Sequence, residues 1–335
     1  MCSDEAVARV TVGRSAVVVA VLAATALAGC RPPPPRPAIA VTTSADGADA
    51  NPGDGVCEVT PGAGDCSLSA AVDEGNALGR AAITVPAGRY EALTTATLTL
   101  TVTGDLTIND GSPADVELVN HQIAVAAGGR LSVDGLSGFA FAGPRITVHG
   151  SFRGRHLSLV AIENVEPILA VEADGVASVE QSFLVNSLLD GSPAVRNRGT
   201  LAVRYATVAT YVLATPALIT SVDNTGVLYA EASILAACTG TPPVSLGANA
   251  AIDESCGLDE PDDRRLPVDV AFDFGPPVVP VFAAASPVVD AIAAGSHGCG
   301  TTVVDDMVGD PRPADGNGDG VAACDIGSRE RPVGP

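Results

Sequence analysis

The chain predicts an all-β fold, a right-handed parallel β-helix with a short N-terminal capping helix, and three observations carry that prediction. Six glycines, Gly104, Gly129, Gly150, Gly175, Gly199 and Gly226, recur at spacings of 25, 21, 25, 24 and 27 residues. After each, the second residue is apolar (Leu106, Leu131, Phe152, Ala177, Leu201, Leu228) and the fourth is small or apolar (Ile108, Val133, Gly154, Val179, Val203, Ala230). The fifth is polar in every copy: Asn109, Asp134, Arg155, Glu180, Arg204 and Glu231. Inward and outward residues that alternate along about five positions make a half-buried strand. Such a strand, returning every ~24 residues, buries its inner face only by stacking on its neighbours.

Stacking assigns the polar position a structural task. Parallel strands in successive turns lie ~4.8 Å apart, so fifth residues stand in one column. From Asp134 to Glu231 its charges alternate in sign, which converts a like-charge ladder into cross-strand pairs worth roughly 0.2–1 kcal/mol each when exposed.

Composition narrows the partners. The 335 residues are 47% apolar and 3% aromatic, with no tryptophan. All 18 basic residues are arginine, and the net charge is -21. That balance offers no basic stripe to displace counterions from phosphate and argues against nucleic acid. Acid is concentrated in residues 44–75, with Asp46, Asp49 and Asp54 as a weak calcium candidate, and in the run Asp253 to Asp273. Such runs read as solvated loops or as cation sites.

Taken in order, residues 1–29 read as a signal peptide, with Arg9 and Arg14 before an apolar stretch from Ser15 to Ala28 that is short for a membrane span. The tetrapeptide Leu27-Ala28-Gly29-Cys30 resembles the bacterial lipobox. That resemblance implies lipidation of Cys30, membrane lipid as a partner, and an address in the cell envelope. Arg31 in place of aspartate favours the outer membrane or cell surface. Residues 30–40 then form a proline-rich spacer of extended polyproline II. Beyond Cys2 and Cys30 the chain carries Cys57, Cys66, Cys238, Cys256, Cys299 and Cys324, an even set that suits an oxidising compartment. Pairing of sequence neighbours, one of fifteen connectivities, would join them as 57–66, 238–256 and 299–324. Zinc is the rival explanation, but no Cys-x-x-Cys is present.

Residues 41–82 contain Asp46-Gly-Ala-Asp-Ala-Asn-Pro-Gly-Asp-Gly-Val-Cys57, then Cys66-Ser-Leu-Ser-Ala-Ala-Val-Asp-Glu-Gly-Asn76, followed by Ile83-Thr-Val-Pro-Ala-Gly-Arg-Tyr90. This order resembles the CSLREA domain that opens bacterial surface β-helix proteins, with Ser69 and Ala70 where the family has Arg and Glu. Ala70 cannot return the hydrogen bond of a capping box. Even so, Leu68, Ala71, Val72, Gly75 and Leu78 share one helical face suited to plugging the first turn.

The rungs are expected over 83–240, and 241–285 reads as a loop-rich segment with one further strand at Val268, Val270, Phe272 and Phe274. In 286–330, Ser286-Pro-Val-Val-Asp-Ala291, Asp310-Pro-Arg-Pro-Ala-Asp-Gly-Asn-Gly-Asp-Gly320 and Cys324-Asp-Ile-Gly327 resemble the choice-of-anchor Q domain. The resemblance implies a closing module for the far end of the rod, and 331–335 is a tail.

Two sets of residues are candidates for chemistry. Asp315, Asn317 and Asp319 alternate with glycines in a pattern that can wrap calcium, with Asp325 as a further oxygen ligand, or can form an acidic turn. His149, Arg153, Arg155 and His156 are the densest basic set in the rungs, a substrate patch if the chain acts on acidic polysaccharide. Arg196, Arg198 and Arg204 with Tyr205 and Tyr211 form a second. No lyase or glycosidase motif accompanies them, and Asp262-Asp263 and Asp305-Asp306 fall outside the repeat. Two functions therefore stand: a lipid-anchored surface β-helix with a structural or adhesive role toward glycan or protein, and a polysaccharide lyase or glycoside hydrolase on the same scaffold.

Overall fold

The computed structural model describes residues 35–92, 98–109, 116–140, 145–162, 166–188, 192–212, 218–266, 271–273 and 277–332. Residues 1–34, which include the expected signal peptide and Cys30, lie outside the described residues, as do Val268, Val270 and Phe274. From Pro37 onward the chain is a β-solenoid of parallel, stacked coils. Each full coil has three sides. The first stacks Arg80–Thr84, Asp105–Asn109, the starts of Arg130–Ala140 and Ser151–Ile162, Val176–Glu180, Thr200–Arg204 and Val227–Glu231. The second side carries the ends of the two long strands, then Phe183–Leu188 and Thr207–Val212. On the third, Leu98–Val102, His121–Val125, Arg145–Val148, Leu169–Val171, Val195–Asn197, Val222–Asn224 and Cys238–Gly240 follow one another.

The register is the one the glycine repeat predicts. Asp134 stands beside Arg155, Arg155 beside Glu180, Glu180 beside Arg204, and Arg204 beside Glu231. The second and fourth residues after each glycine point inward and are buried. Gly154 fits this rule because the side chain of Leu157 and the ring of Phe152 already fill the space, lying 2.5 and 2.9 Å from where a Cβ would sit.

The glycines occupy the corner between the third and first sides. A Cβ on Gly129, Gly150, Gly175, Gly199 or Gly226 would collide with a backbone carbonyl oxygen of the preceding turn. The carbonyls of Gly104, Gly129, Gly150, Gly175 and Gly199 each accept the first amide of the next rung, from Arg130 N to Gly104 O at 2.8 Å through Val227 N to Gly199 O at 2.8 Å. The repeat therefore marks a close approach of backbones. At the corner between the first and second sides, Gly135, His156, Gln181, Tyr205, Ala232 and Ala248 all take positive φ, from 46° to 74°. This left-handed position is costly for residues with a Cβ, and it directs the side chains out of the coil.

Both ends are closed. The helix Leu68–Ala77 caps the first turn, with Ser67 accepting the Ala70 amide at its N-terminus. Leu68, Ala71, Val72 and Gly75 are buried against the coil, as the helical face predicts, whereas Leu78 is half-buried. Glu74 is buried too, and its carboxylate accepts the Gly53 and Gly55 amides of the preceding loop. At the other end Cys256 packs into the core with Leu258 against it, tied by the Cys238–Cys256 disulfide. Cys57–Cys66 and Cys299–Cys324 are joined as well, so all three pairs are sequence neighbours. The change Cys238→Ser with Cys256→Ser is expected to lower stability by about 3 kcal/mol for a loop of this length, measured as the denaturant midpoint. An unchanged midpoint would show that the end loop holds without its tether.

Three boundaries differ from the expectation, and the further strand is present about Phe272. Ala38–Ala40 is a strand paired with Ala82–Thr84, so the solenoid begins inside the segment assigned as spacer. Its rungs reach Arg265, because Val244–Ser245, Ala250–Ala251 and Arg264–Arg265 continue the stack past residue 240. The further strand is Ala271–Asp273, antiparallel to Val279–Val281. Finally, the 286–330 module lies along the flank of the coil, whose far end is closed by the Cys256 loop. The physical cause is an apolar outer surface: Val160, Phe183, Val185, Ala209 and Ala236 of the second side pack under Val278, Val279 and Met307. Among the described residues no helix is long and apolar enough to cross a membrane.

Candidate functional site

The flank where the C-terminal strap, residues 277–332, meets the first side brings together most of the ionisable groups of the rungs. The column of alternating charge is present, but only one of its neighbouring pairs closes directly, Arg204 Nε to Glu231 Oε2 at 3.0 Å. Residues outside the column intercept the others. Arg155 donates from Nε to Gln181 (2.7 Å) and from Nη2 to Asp305 of the strap (2.9 Å). Glu180 is reached by Arg153, two positions up its neighbouring strand, at 3.5 Å. Asp134 pairs with His156 Nδ1 at 2.7 Å, and that hydrogen bond holds the Asp134 carboxyl below the usual carboxylate range.

The four residues of the expected substrate patch do not form one patch. Exposed His149 sits before its rung and faces Asp174 at 3.1 Å, while His156 is buried at the left-handed corner. Arg153 and Arg155 remain together on the outer face, where Arg204 joins them. The second basic set also divides: Arg196 and Arg198 lie on the third side against Glu172 at 3.3 and 3.2 Å. Tyr205 is fully buried under the strap, and the Tyr211 side chain lies outside the described residues.

Arg153, Arg155, Glu180, Gln181, Arg204, Tyr205, Thr302 and Val303 line a recess of about 230 Å³. The corner position explains it, since left-handed Gln181 and Tyr205 turn outward where the strap residues 302–305 cross. Burial pushes the Tyr205 phenol up to about 12, so it remains a hydrogen-bond donor at neutral pH.

The proposed calcium ligands are also separated. Asp315, Asn317 and Asp319 share a loop, but their oxygens accept its own amides. Asp315 takes those of Gly318, Asp319 and Gly320, Asn317 takes that of Asp319, and Asp319 takes that of Val321. Asp325 is buried apart from them, its two oxygens held by the Asp290 and Arg331 amides at 2.7 Å. Likewise Asp46 accepts from Ser69, Asp49 from Glu58 and Asp54 from Val56. Among the described residues no group of three or more His, Cys, Asp or Glu side chains is arranged to hold a metal ion.

Beneath the strap lies a buried ionic cluster that no sequence motif announces. Arg312, stacked 4.5 Å above the Tyr205 ring, contacts Glu330 at 2.7 Å and donates to the carbonyls of Asp325 and Gly327. Asp306 and Asp325 are buried beside it. Burial raises both Asp325, to about 6, and Glu330, to about 8. A carboxyl whose folded value is raised binds its proton more tightly in the folded state. Its stabilising contribution is complete below the ordinary carboxylate range and is lost as the pH climbs through 6 and 8. The melting temperature is expected to fall between pH 5 and pH 9, with a shallower fall in Glu330→Gln. Equal slopes would remove Glu330 as the cause.

Comparison with family models, with curated proteins and with solved structures finds no match to this chain.

Proposed function

We propose that the chain is an exported, lipid-anchored surface protein, a β-solenoid with a structural or adhesive role whose strapped flank is the working surface. The observation that carries this reading is the spending of rung charges on structure. Column residues pair with neighbouring coil residues or with the strap, which suits a rigid displayed rod better than a centre for bond cleavage. The lipobox-like Cys30, the three joined cysteine pairs and the resemblance of both end segments to CSLREA and choice-of-anchor Q modules support the same reading.

The test is fractionation of cells expressing the full chain or its Cys30→Ser variant. The parent is expected in the membrane fraction, with a lipid-modified N-terminal peptide by mass spectrometry and sensitivity to protease added to intact cells. Cys30→Ser is expected to lose the lipid. An unmodified Cys30 in a soluble parent chain would overturn the anchor. The arginine-lined recess favours a second reading, a carbohydrate-active enzyme on acidic polysaccharide. A uronate-lyase activity lost in both Arg153→Ala and Arg155→Ala would replace the first reading with it.

A further inference from the structure

The recess between the first side and the strap has the chemistry of an oxyanion site. Its lining carries three guanidiniums, Arg153, Arg155 and Arg204, against the single carboxylate of Glu180, in a chain whose net charge is -21. The other two carboxylates that engage these arginines, Asp305 and Glu231, do not line it.

The donors are incompletely used. Arg153 donates through Nη2, Arg155 through Nε and Nη2, and Arg204 through Nη2 to the His297 carbonyl. Among the described residues the Nη1 group of each donates no hydrogen bond. Arg204 Nε is close to Glu231 but off the hydrogen-bond line, and it is buried without a hydrogen-bond partner. Tyr205, at 0% exposure, also has its hydroxyl buried without a partner. Native structures rarely leave such groups unmatched, because each forfeits its water hydrogen bonds. An acceptor-rich anion entering the recess supplies what they lack, and the planar fork of arginine suits the paired oxygens of a carboxylate or phosphate.

We propose that this recess binds the oxyanion group of an acidic ligand, with Arg153, Arg155 and Arg204 as charged donors and the Tyr205 hydroxyl as a neutral one. The proposal rests on reading the strapped flank as the working surface and names the chemistry that surface recognises. The oxyanion has two possible sources, the carboxylate of an acidic glycan or a free inorganic anion. Along the outward column from Arg153, Ser178 and Ala202 lead to the exposed ring of Tyr229. A sugar chain anchored in the recess can lie along it.

The test is calorimetric titration of the purified full chain with trigalacturonate, inorganic phosphate and neutral maltotriose. At least one anion is expected to bind at millimolar concentration or below, and maltotriose is not. Tighter binding of trigalacturonate than of phosphate assigns the glycan source; equal or weaker binding assigns the free anion. Arg153→Gln, a change at an exposed side chain, is expected to weaken binding roughly tenfold, the loss of one charge-assisted pair. Tyr205→Phe is expected to weaken it by roughly threefold or more while leaving the melting temperature unchanged or higher, because a buried unpaired hydroxyl is removed. Absence of binding by both anions, maltotriose binding as tightly as the anions, or unchanged anion affinity in both variants would overturn the site. Such a failure leaves the Cys30 anchor standing, and loss of the anchor leaves the site standing.

Discussion

Gly175→Ala is expected to destabilise the solenoid by about 2–3 kcal/mol, although alanine is the smallest possible change. The added methyl meets the carbonyl oxygen of Val148, which already accepts the Glu172 amide at 2.9 Å. Neither partner is a flexible side chain, so the collision is relieved only by parting two turns and weakening the bonds on either side. A loss of this size lowers the melting temperature by roughly 5–10 °C, read against Ser178→Ala on the outward face of the following rung. The double change Gly175→Ala with Gly199→Ala should cost more than the sum, since moving the Gly175 turn away from Val148 presses its carbonyl onto the new methyl at position 199. A variant melting within a degree of the parent would mean that the glycine column records something other than backbone contact.

Arg312→Ala carries the other large effect. The arginine side chain is fully buried, its guanidinium sits 2.7 Å from Glu330 and 4.5 Å above Tyr205, and Asp325 and Asp306 are buried nearby. Truncation leaves acidic groups in the interior without their cation, which typically costs about 3–5 kcal/mol. Since the cluster joins the strap to the corner of the coil, the strap should also become the preferred site of limited proteolysis. Arg312→Met with Glu330→Gln removes the buried cation together with the acid it contacts and is expected to recover much of the loss. If the single variant loses under about 1 kcal/mol, the cluster is incidental to how the strap is held.

These two experiments fall on opposite sides of what the sequence makes legible. The glycine corner and the first side could be read because one geometric constraint repeats. A residue without Cβ, followed by alternating burial, leaves the same trace in every turn, and it predicts the Asp134, Arg155, Glu180, Arg204, Glu231 column in its true register. The third side left a weaker trace, since Leu169–Val171 is short and buried on both faces, so it lacks alternation. The left-handed corner left none. Its backbone is constant, but its occupants are Gly135, His156, Gln181, Tyr205, Ala232 and Ala248, and only the first advertises a positive φ.

The site was less visible for a related reason. Basic residues close in sequence, such as His149 and Arg153, are distributed over different faces by the coil, whereas Arg155 and Asp305 meet across 150 positions. The apolar second side offered one usable clue. Val160, Phe183 and Val185 stand on its outer face, where a solvated sheet would be polar, and that surplus announces a covering segment. Of the acids of residues 44–75, Asp46, Asp49, Asp54, Glu58 and Asp65 were legible as loop residues, whereas Asp73 and Glu74 stand in the helix Leu68–Ala77, where buried Glu74 holds the loop amides of Gly53 and Gly55.

The strap also bears on how a molecule of this kind changes length. Its hydrogen bonds and ion pairs run from Arg155 to Asp262 of the coil, through Ser158, Arg204 and Glu231, and they bind partners in several successive rungs at once. A duplicated coil within that interval would shift half of those partners by one rung spacing, so gain of a turn there requires a matching change in the strap. A coil duplicated between Asn109 and Arg130 only moves the helical cap farther from the strapped region. Lengthening should therefore be tolerated near the N-terminal cap and refused under the strap, making one end of the rod open to variation in reach while the other keeps its surface intact.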